Sequence, residues 1–191
     1  IPSTESVDKA LKLLANAKKP LIILGKGAAY AQADKDIKDF VEKTGIPFLP
    51  MSMAKGLIPD NHPQCAAASR SFVLENADVV VLLGARLNWL LQHGKGKRWN
   101  PDVRFIQFEI DPKEIDSNRP IEAPVVGDIV SSMKVVMQRL PEFNIKADKT
   151  WINDIQETKQ KNIEKMSVKL NTQTQPMNFF NALNAIKEVV D

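Results

Sequence analysis

The sequence predicts an α/β protein: a doubly wound, Rossmann-like parallel sheet of five to six strands with helices on both faces. Three observations carry this prediction. Unbroken apolar runs such as Leu21-Ile-Ile-Leu24 and Val79-Val-Val-Leu-Leu83 have the length and composition of strands buried on both faces. Segments with helical apolar spacing alternate with these runs through residue 140, the pattern of right-handed strand–helix–strand crossovers. The first run ends in Gly25-Lys-Gly27, where the backbone can turn tightly and approach a ligand.

The elements follow in order. Ser3 is placed to cap a helix that carries Val7, Ala10, Leu11 and Leu14 on one face. Lys18, Lys19 and Pro20 close it and open the first strand. Beyond the glycine turn, Ile37, Phe40, Val41 and Thr44 mark a second helix, with Gly45 just past its end. Ile46-Pro-Phe-Leu49 reads as a second strand with Pro47 near its start. Met51 to Pro63 is a loop punctuated by glycine and proline, and the alanine-rich stretch from Gln64 to Ala77 predicts a helix. Asp78 leads into the third strand, which ends at Gly84-Ala-Arg86. Trp89 to Asp102 has no clear period and reads as a short helix or loop. Arg104 to Ile110 is a fourth strand stopped by Asp111-Pro112, and Pro124-Val-Val126 is a brief fifth. Ile129, Met133, Val136, Met137 and Leu140 form a helical stripe. From Trp151 the chain is helical and polar, is broken at Asn171 to Gln175, and resumes with Pro176 at the first position of a last helix.

Composition narrows the function. The 191 residues carry a formal net charge of +3, with charged residues at 26%, an ordinary balance for a globular domain. The longest basic cluster, Lys95-Gly-Lys-Arg98, is short and reads as a solvated loop, not as the basic face of a nucleic-acid binder. Cys65 is the single cysteine, so there is no disulfide framework and no cysteine-based metal cluster, which fits the reducing cytoplasm. The only histidines, His62 and His93, have no ligand partner at helical spacing, and His62, three residues before Cys65, lies in a turn-like Asn-His-Pro run. No stretch has membrane-spanning length, and no signal peptide is visible. The first residue is Ile1, so the chain reads as a piece of a longer protein. Trp89, Trp99 and Trp151 read as packing or interface residues. Met51 and Met53 read as lining a core or groove.

In a doubly wound sheet, ligands bind beyond the carboxyl ends of the strands. Strand one delivers Gly25 and Gly27 there, strand three Gly84 and Arg86, strand four Glu109 and Asp111, strand five Gly127 and Asp128. Glycines admit a ligand close to the backbone, an arginine grips phosphate, and a strand-end carboxylate accepts ribose hydroxyls. Together they point to a nucleotide-type ligand. Each also has a plainer reading. Gly-x-Gly is a common strand–helix turn, and Tyr30 stands where the dinucleotide fingerprint has its third glycine. For Arg86 the plainer reading is an ion pair with Asp111, and for Asp128 it is the cap of the helix that follows.

Taken in order, Pro20-Leu-Ile-Ile-Leu-Gly-Lys-Gly-Ala28, Lys55-Gly-Leu-Ile-Pro59 with His62-Pro63, Ala77-Asp-Val-Val-Val-Leu-Leu-Gly-Ala-Arg-Leu87, Phe105-Ile-Gln-Phe-Glu-Ile-Asp111 and Pro124-Val-Val-Gly-Asp128 resemble the central domain of thiamine-diphosphate-dependent enzymes. Within that family, Met51 to Gly56, Gly84 to Gly94 and Ile115 to Ile121 are most similar to oxalyl-CoA decarboxylases. The 2-hydroxyacyl-CoA lyases and acetolactate synthases are the rival members. The resemblance implies a three-domain, usually tetrameric parent that holds thiamine diphosphate and a magnesium ion between its outer domains. It implies a reaction of oxalate catabolism, oxalyl-CoA to formyl-CoA and carbon dioxide. It also implies a six-stranded central domain, the sixth strand falling in Trp89 to Asp102, with FAD, ADP or an empty site. Residues 1–150 would form that domain. Residues 151–191 would be a helical linker into a thiamine-diphosphate-binding domain, whose start the stretch Gln175-Pro-Met-Asn-Phe-Phe180 resembles. By the same resemblance Gly25, Gly27 and Ala28 would approach a diphosphate and Arg86 would neutralise it. Glu109 or Asp111 would take the ribose, and Asp128 with Ile129 would meet the adenine. The Gly-Asp-Gly…Asn motif for magnesium is missing from this sequence. The resemblance therefore implies no catalytic and no metal-binding residue here, and a domain inactive alone, whose partners are sister domains and the parent's acyl-CoA.

Overall fold

In the computed structural model, which describes residues 1–190, five parallel strands form one sheet. They are β1 (Pro20–Leu24), β2 (Phe48–Pro50), β3 (Val79–Leu83), β4 (Arg104–Glu109) and β5 (Ala123–Val126), in spatial order β2-β1-β3-β4-β5. The register aligns Leu24 with Leu83 and Leu83 with Phe108, so the central strands end level. Every residue of β1 and β3 is buried, as their unbroken apolar runs require.

Alternate strand residues feed two cores. Ile22, Leu24, Val81, Leu83, Ile106 and Phe108 face α1 (Thr4–Ala15), α3 (Asp34–Thr44) and α5 (Ile129–Arg139). Leu21, Ile23, Val80, Leu82 and Phe105 face α4 (Arg70–Asn76) and the start of α6 (Lys149–Asn171). Helices thus cover both faces. The chain leaves β1 through the short α2 (Lys26–Tyr30) and α3 on one face and returns from β2 to β3 through α4 on the other. That reversal opens a crevice between the ends of β1 and β3.

Local signals behave as expected at several ends. Ser3 accepts from the Ser6 backbone N–H at 3.1 Å, capping α1. Gly45 adopts φ +69° after α3, a conformation costly for a side-chain-bearing residue. Pro124 removes a donor from the outer strand β5, which blunts that edge against further pairing.

Three expectations are corrected. The predicted helix from Gln64 starts only at Arg70, after a 3-10 turn at Ala67–Ser69. Residues 64–66 are instead drawn out along the free edge of β2. The Phe48 N–H donates to the Gln64 carbonyl at 3.0 Å, and the Ala66 N–H donates to the Phe48 carbonyl at 2.9 Å. Satisfying that edge outweighs the helix preference of alanine. Second, Trp89 to Asp102 holds no sixth strand: Trp89–Gly94 is 3-10 turn interrupted by left-handed backbone at Gln92 and His93. What extends the sheet past β2 is the single bridge between Phe48 and Cys65. Third, the last helix, α7 (Phe179–Val190), begins beyond Pro176, with Asn178 accepting from the Asn181 N–H at 2.9 Å.

The expected division at residue 150 falls at the start of α6, whose first half belongs to the core. Trp151 is 2% exposed, lies 5.6 Å from the Phe72 ring and donates its indole N–H to the Pro20 carbonyl at 3.0 Å. Asn162 still reaches back to the Ala68 carbonyl at 2.8 Å. From Ile163 onward α6 buries no residue, and neither does α7.

Candidate functional site

The crevice is built from two backbone turns in direct contact. The Gly25 N–H donates to the Leu83 carbonyl at 2.9 Å and the Gly27 N–H to the Gly84 carbonyl at 2.9 Å, while the Gly84 N–H donates to the Phe108 carbonyl at 3.0 Å. A Cβ on Gly25 would lie 2.2 Å from the Gly84 oxygen, and one on Gly84 would lie 2.3 Å from the Ala28 nitrogen. Side chains cannot be accommodated there, so the glycines let one strand end sit on the other. The same contact uses the N–H groups of Gly25 and Gly27 within the fold.

Above this floor opens a cavity of about 410 Å³, within the range of small-molecule sites. Of the residues singled out in the sequence, it gathers Gly27, Gly84, Arg86, Glu109 and Asp111 on its walls, together with Met51 and Met53. Gly25 and Ala28 are buried behind it, the Ala28 side chain packing in the core. Asp128 and Ile129 do not line it. Asp128 caps α5 instead: its Oδ1 accepts from the Ser131 N–H at 2.8 Å, and that backbone hydrogen bond, followed by one from the Ser131 side chain, holds the carboxyl below its usual range. Ile129 is a core residue.

The cavity is polarised. Lys26 and Arg86 bring positive charge from the ends of β1 and β3; Glu109, Asp111 and Glu114 bring negative charge from the end of β4. The two carboxylates expected at the ribose are each held by their own loop. Glu109 Oε1 accepts from the Ile110 N–H at 2.9 Å, and Asp111 Oδ1 accepts from the Lys113 N–H at 2.9 Å, capping the 3-10 turn Pro112–Glu114. Arg86 does not pair with Asp111. Its Nη1 donates to Glu114 Oε1 at 2.7 Å, with the arginine side chain 51% exposed and the glutamate 30%. Glu114 escaped the sequence reading. The spacing Asp111-Pro-Lys-Glu114 held the signal, because residues three apart in a 3-10 turn lie on one face, which puts Glu114 on the same side as the strand-end Asp111. Ser52 and Asn88 complete the wall, the latter with its Oδ1 already accepting from the Leu90 N–H at 3.0 Å.

His62 and Cys65 are structural. His62 Nδ1 accepts from the Gln64 N–H at 3.3 Å, its ring lies 5.6 Å from Phe48, and Nε2 is 3.6 Å from Glu42. Cys65 is buried under the β2 edge. Among the described residues, no three His, Cys, Asp or Glu side chains are grouped to hold a metal ion.

Comparison with known proteins agrees with this architecture. The family model described as the thiamine pyrophosphate enzyme central domain matches residues 7–136. The chain is 56% identical over 190 residues to oxalyl-CoA decarboxylase of Escherichia coli K12, covering all of this chain and 34% of that protein. It is 40% identical over 188 residues to human 2-hydroxyacyl-CoA lyase 1, covering 97% and 32%, and 37% identical over 186 residues to the Arabidopsis thaliana 2-hydroxyacyl-CoA lyase, covering 96% and 32%. It spans about a third of the length of these relatives. A parallel sheet with its crevice between β1 and β3, and a family match running from the first helix into α5, make this chain a member of the thiamine pyrophosphate enzyme family, corresponding to its central domain.

Proposed function

We propose that this chain is the central domain of a thiamine-diphosphate- and magnesium-dependent oxalyl-CoA decarboxylase, and that its cavity takes an ADP-type nucleotide. The observation that carries the first half is the 56% identity across the whole chain to a protein of that name, against 30–44% to the 2-hydroxyacyl-CoA lyases. The reaction would convert oxalyl-CoA and a proton to formyl-CoA and carbon dioxide, thiamine diphosphate supplying the electron sink for the carbanion. The residues present do not fit a magnesium–diphosphate clamp: the described residues hold no grouped metal ligands. No chemical step is therefore assigned to them, and a domain lacking its sisters would be inactive. The test is an assay of the longer polypeptide containing this domain, with thiamine diphosphate and magnesium. Formyl-CoA from oxalyl-CoA supports the assignment. Cleavage of 2-hydroxyacyl-CoA with oxalyl-CoA untouched overturns it in favour of a lyase.

The nucleotide reading rests on the polarised cavity. The diphosphate would lie over Gly27 with Arg86 and Lys26 against its charge. The ribose would lie toward Glu109 or Asp111, each of which has one carboxylate oxygen engaged by its own loop. Gly25 and Ala28 would shape the floor. Asp128, which caps α5, and Ile129, which packs in the core, stand outside the cavity and are left out of the proposed contacts. Calorimetric titration of the chain with ADP tests this: binding that Arg86→Ala weakens supports it, and no heat at millimolar ADP overturns it. The rival reading, a structural domain whose pocket stays empty, has its own support: the Gly25 and Gly27 N–H groups are engaged, and Arg86 already has Glu114.

The proposed setting is the cytoplasm, in a homotetramer packed against sister domains. No described helix is long and apolar enough to cross a membrane. The exposed Met53, Trp89 and Ile110 beside the cavity support packing on a further protein surface. The domain's own edge is proposed near Asn162, with the rest of α6 and α7 as the linker.

A further inference from the structure

We infer that Glu114 is a built-in competitor of the cavity's ligand, occupying Arg86 until a phosphate displaces it. The inference rests on the nucleotide reading above. The cation best placed to receive phosphate is held by a carboxylate of the same cavity wall at 2.7 Å. The contact is built for release. It uses one guanidinium nitrogen and one carboxylate oxygen, not the paired fork of a structural arginine site such as Arg139 on Asp8, where two nitrogens meet two oxygens at 2.8 and 2.9 Å. Both side chains are partly open to water, where such pairs are weak. Glu114 ends a short 3-10 turn whose own backbone is fixed independently, by Asp111 accepting from the Lys113 N–H and by the Glu114 N–H donating to the Asp111 carbonyl at 3.1 Å. The side chain can therefore swing away without unravelling the turn.

The charge balance gives the displacement a direction. The cavity wall has two cations and three carboxylates, so an incoming diphosphate meets a site that is net negative until Glu114 withdraws. Ligand entry then frees Glu114 at the mouth beside Ile110, and occupancy is reported at the protein surface as the loss of one ion pair. The opposite role would be that Glu114 positions Arg86 for the phosphate. The two roles predict opposite signs.

The test is calorimetric titration of the chain with ADP and, separately, inorganic pyrophosphate, for the wild type, E114Q, E114D, R86A and the R86A/E114Q double variant, after melting curves establish that each is folded. Competition predicts that E114Q binds ADP about three- to fivefold more tightly, the value of a partly exposed ion pair. E114D, which keeps the charge but is too short to hold the contact, should tighten as well. In the R86A background the E114Q effect should vanish, because it acts through Arg86. Weaker or unchanged binding by E114Q overturns the inference, as does tightening that persists without Arg86, which would be general charge removal. ADP binding by the wild type with no tightening in E114Q removes this inference alone. No binding by either removes the nucleotide reading as well.

Discussion

Replacing Gly84 with alanine tests the claim that the crevice floor is two backbones in contact. Two costs add at this position. The backbone is left-handed, φ +55°, which costs a residue with a Cβ about 1–2 kcal/mol. The new methyl would also lie 2.3 Å from the Ala28 nitrogen and 2.7 Å from Gly27 Cα. Backbone cannot rotate aside as a flexible side chain can, so the ends of β1 and β3 must part, adding about 1–3 kcal/mol of overpacking. The sum, about 2–5 kcal/mol, is a large share of a typical domain's stability. Gly45→Ala is the control, because Gly45 has φ +69° and nothing within 4 Å of an added Cβ. It carries the conformational cost alone. Urea unfolding of both variants, followed by circular dichroism, separates the two. Gly84→Ala should lose at least about 1 kcal/mol more than Gly45→Ala. Equal losses would refute the argument that close backbone approach, and not φ alone, demands glycine at the strand end.

Other expectations follow from the same geometry. Asp128→Ala should cost about 1 kcal/mol at neutral pH by uncapping α5. Because its folded pKa lies below the unfolded value, the Asp128 contribution is complete above about pH 4 and is lost as pH falls through the depressed value, so wild type and variant should converge in acid; a gap that persists unchanged at about pH 2 would contradict this. Trp151→Ala should cost about 3–5 kcal/mol, since it empties a buried site and leaves the Pro20 carbonyl unpaired, read as a fall in melting temperature. A chain stopped after Asn162 should melt close to the longer one, because no described residue beyond it is buried; a chain stopped before Lys149 should melt far lower, having lost Trp151 and Ile155 from the core.

Much of the fold was legible because parallel strands buried on both faces leave unbroken apolar runs. Leu21 to Leu24 and Val79 to Leu83 needed no partner to be recognised. Caps at Ser3 and Gly45 were equally local. The failures share a physical cause. Gln64 to Ala66 has helix-forming composition, but its backbone is claimed by Phe48, in a separate strand, whose edge N–H and carbonyl need partners. No local propensity reports that demand. At the site, Gly27, Arg86, Glu109 and Asp111 stand at or just beyond strand ends and share one cavity. Asp128 and Ile129 follow β5, two strands away from the crevice at β1 and β3, which strand order decides.

By itself, then, the sequence determined the fold class, the strand ends and the family, because burial pattern, capping and motif order are written in neighbouring residues. The tertiary structure alone decided what the glycines and charges do. Gly25 and Gly84 could each be read as making room for a ligand, yet they make room for each other, since strands adjacent in space bring their turns within contact distance. Arg86 could be assigned to a phosphate or to Asp111. Only the path of the Pro112–Glu114 turn puts Glu114 against it, because an ion pair depends on where a turn aims its last side chain, not on which charges the chain contains.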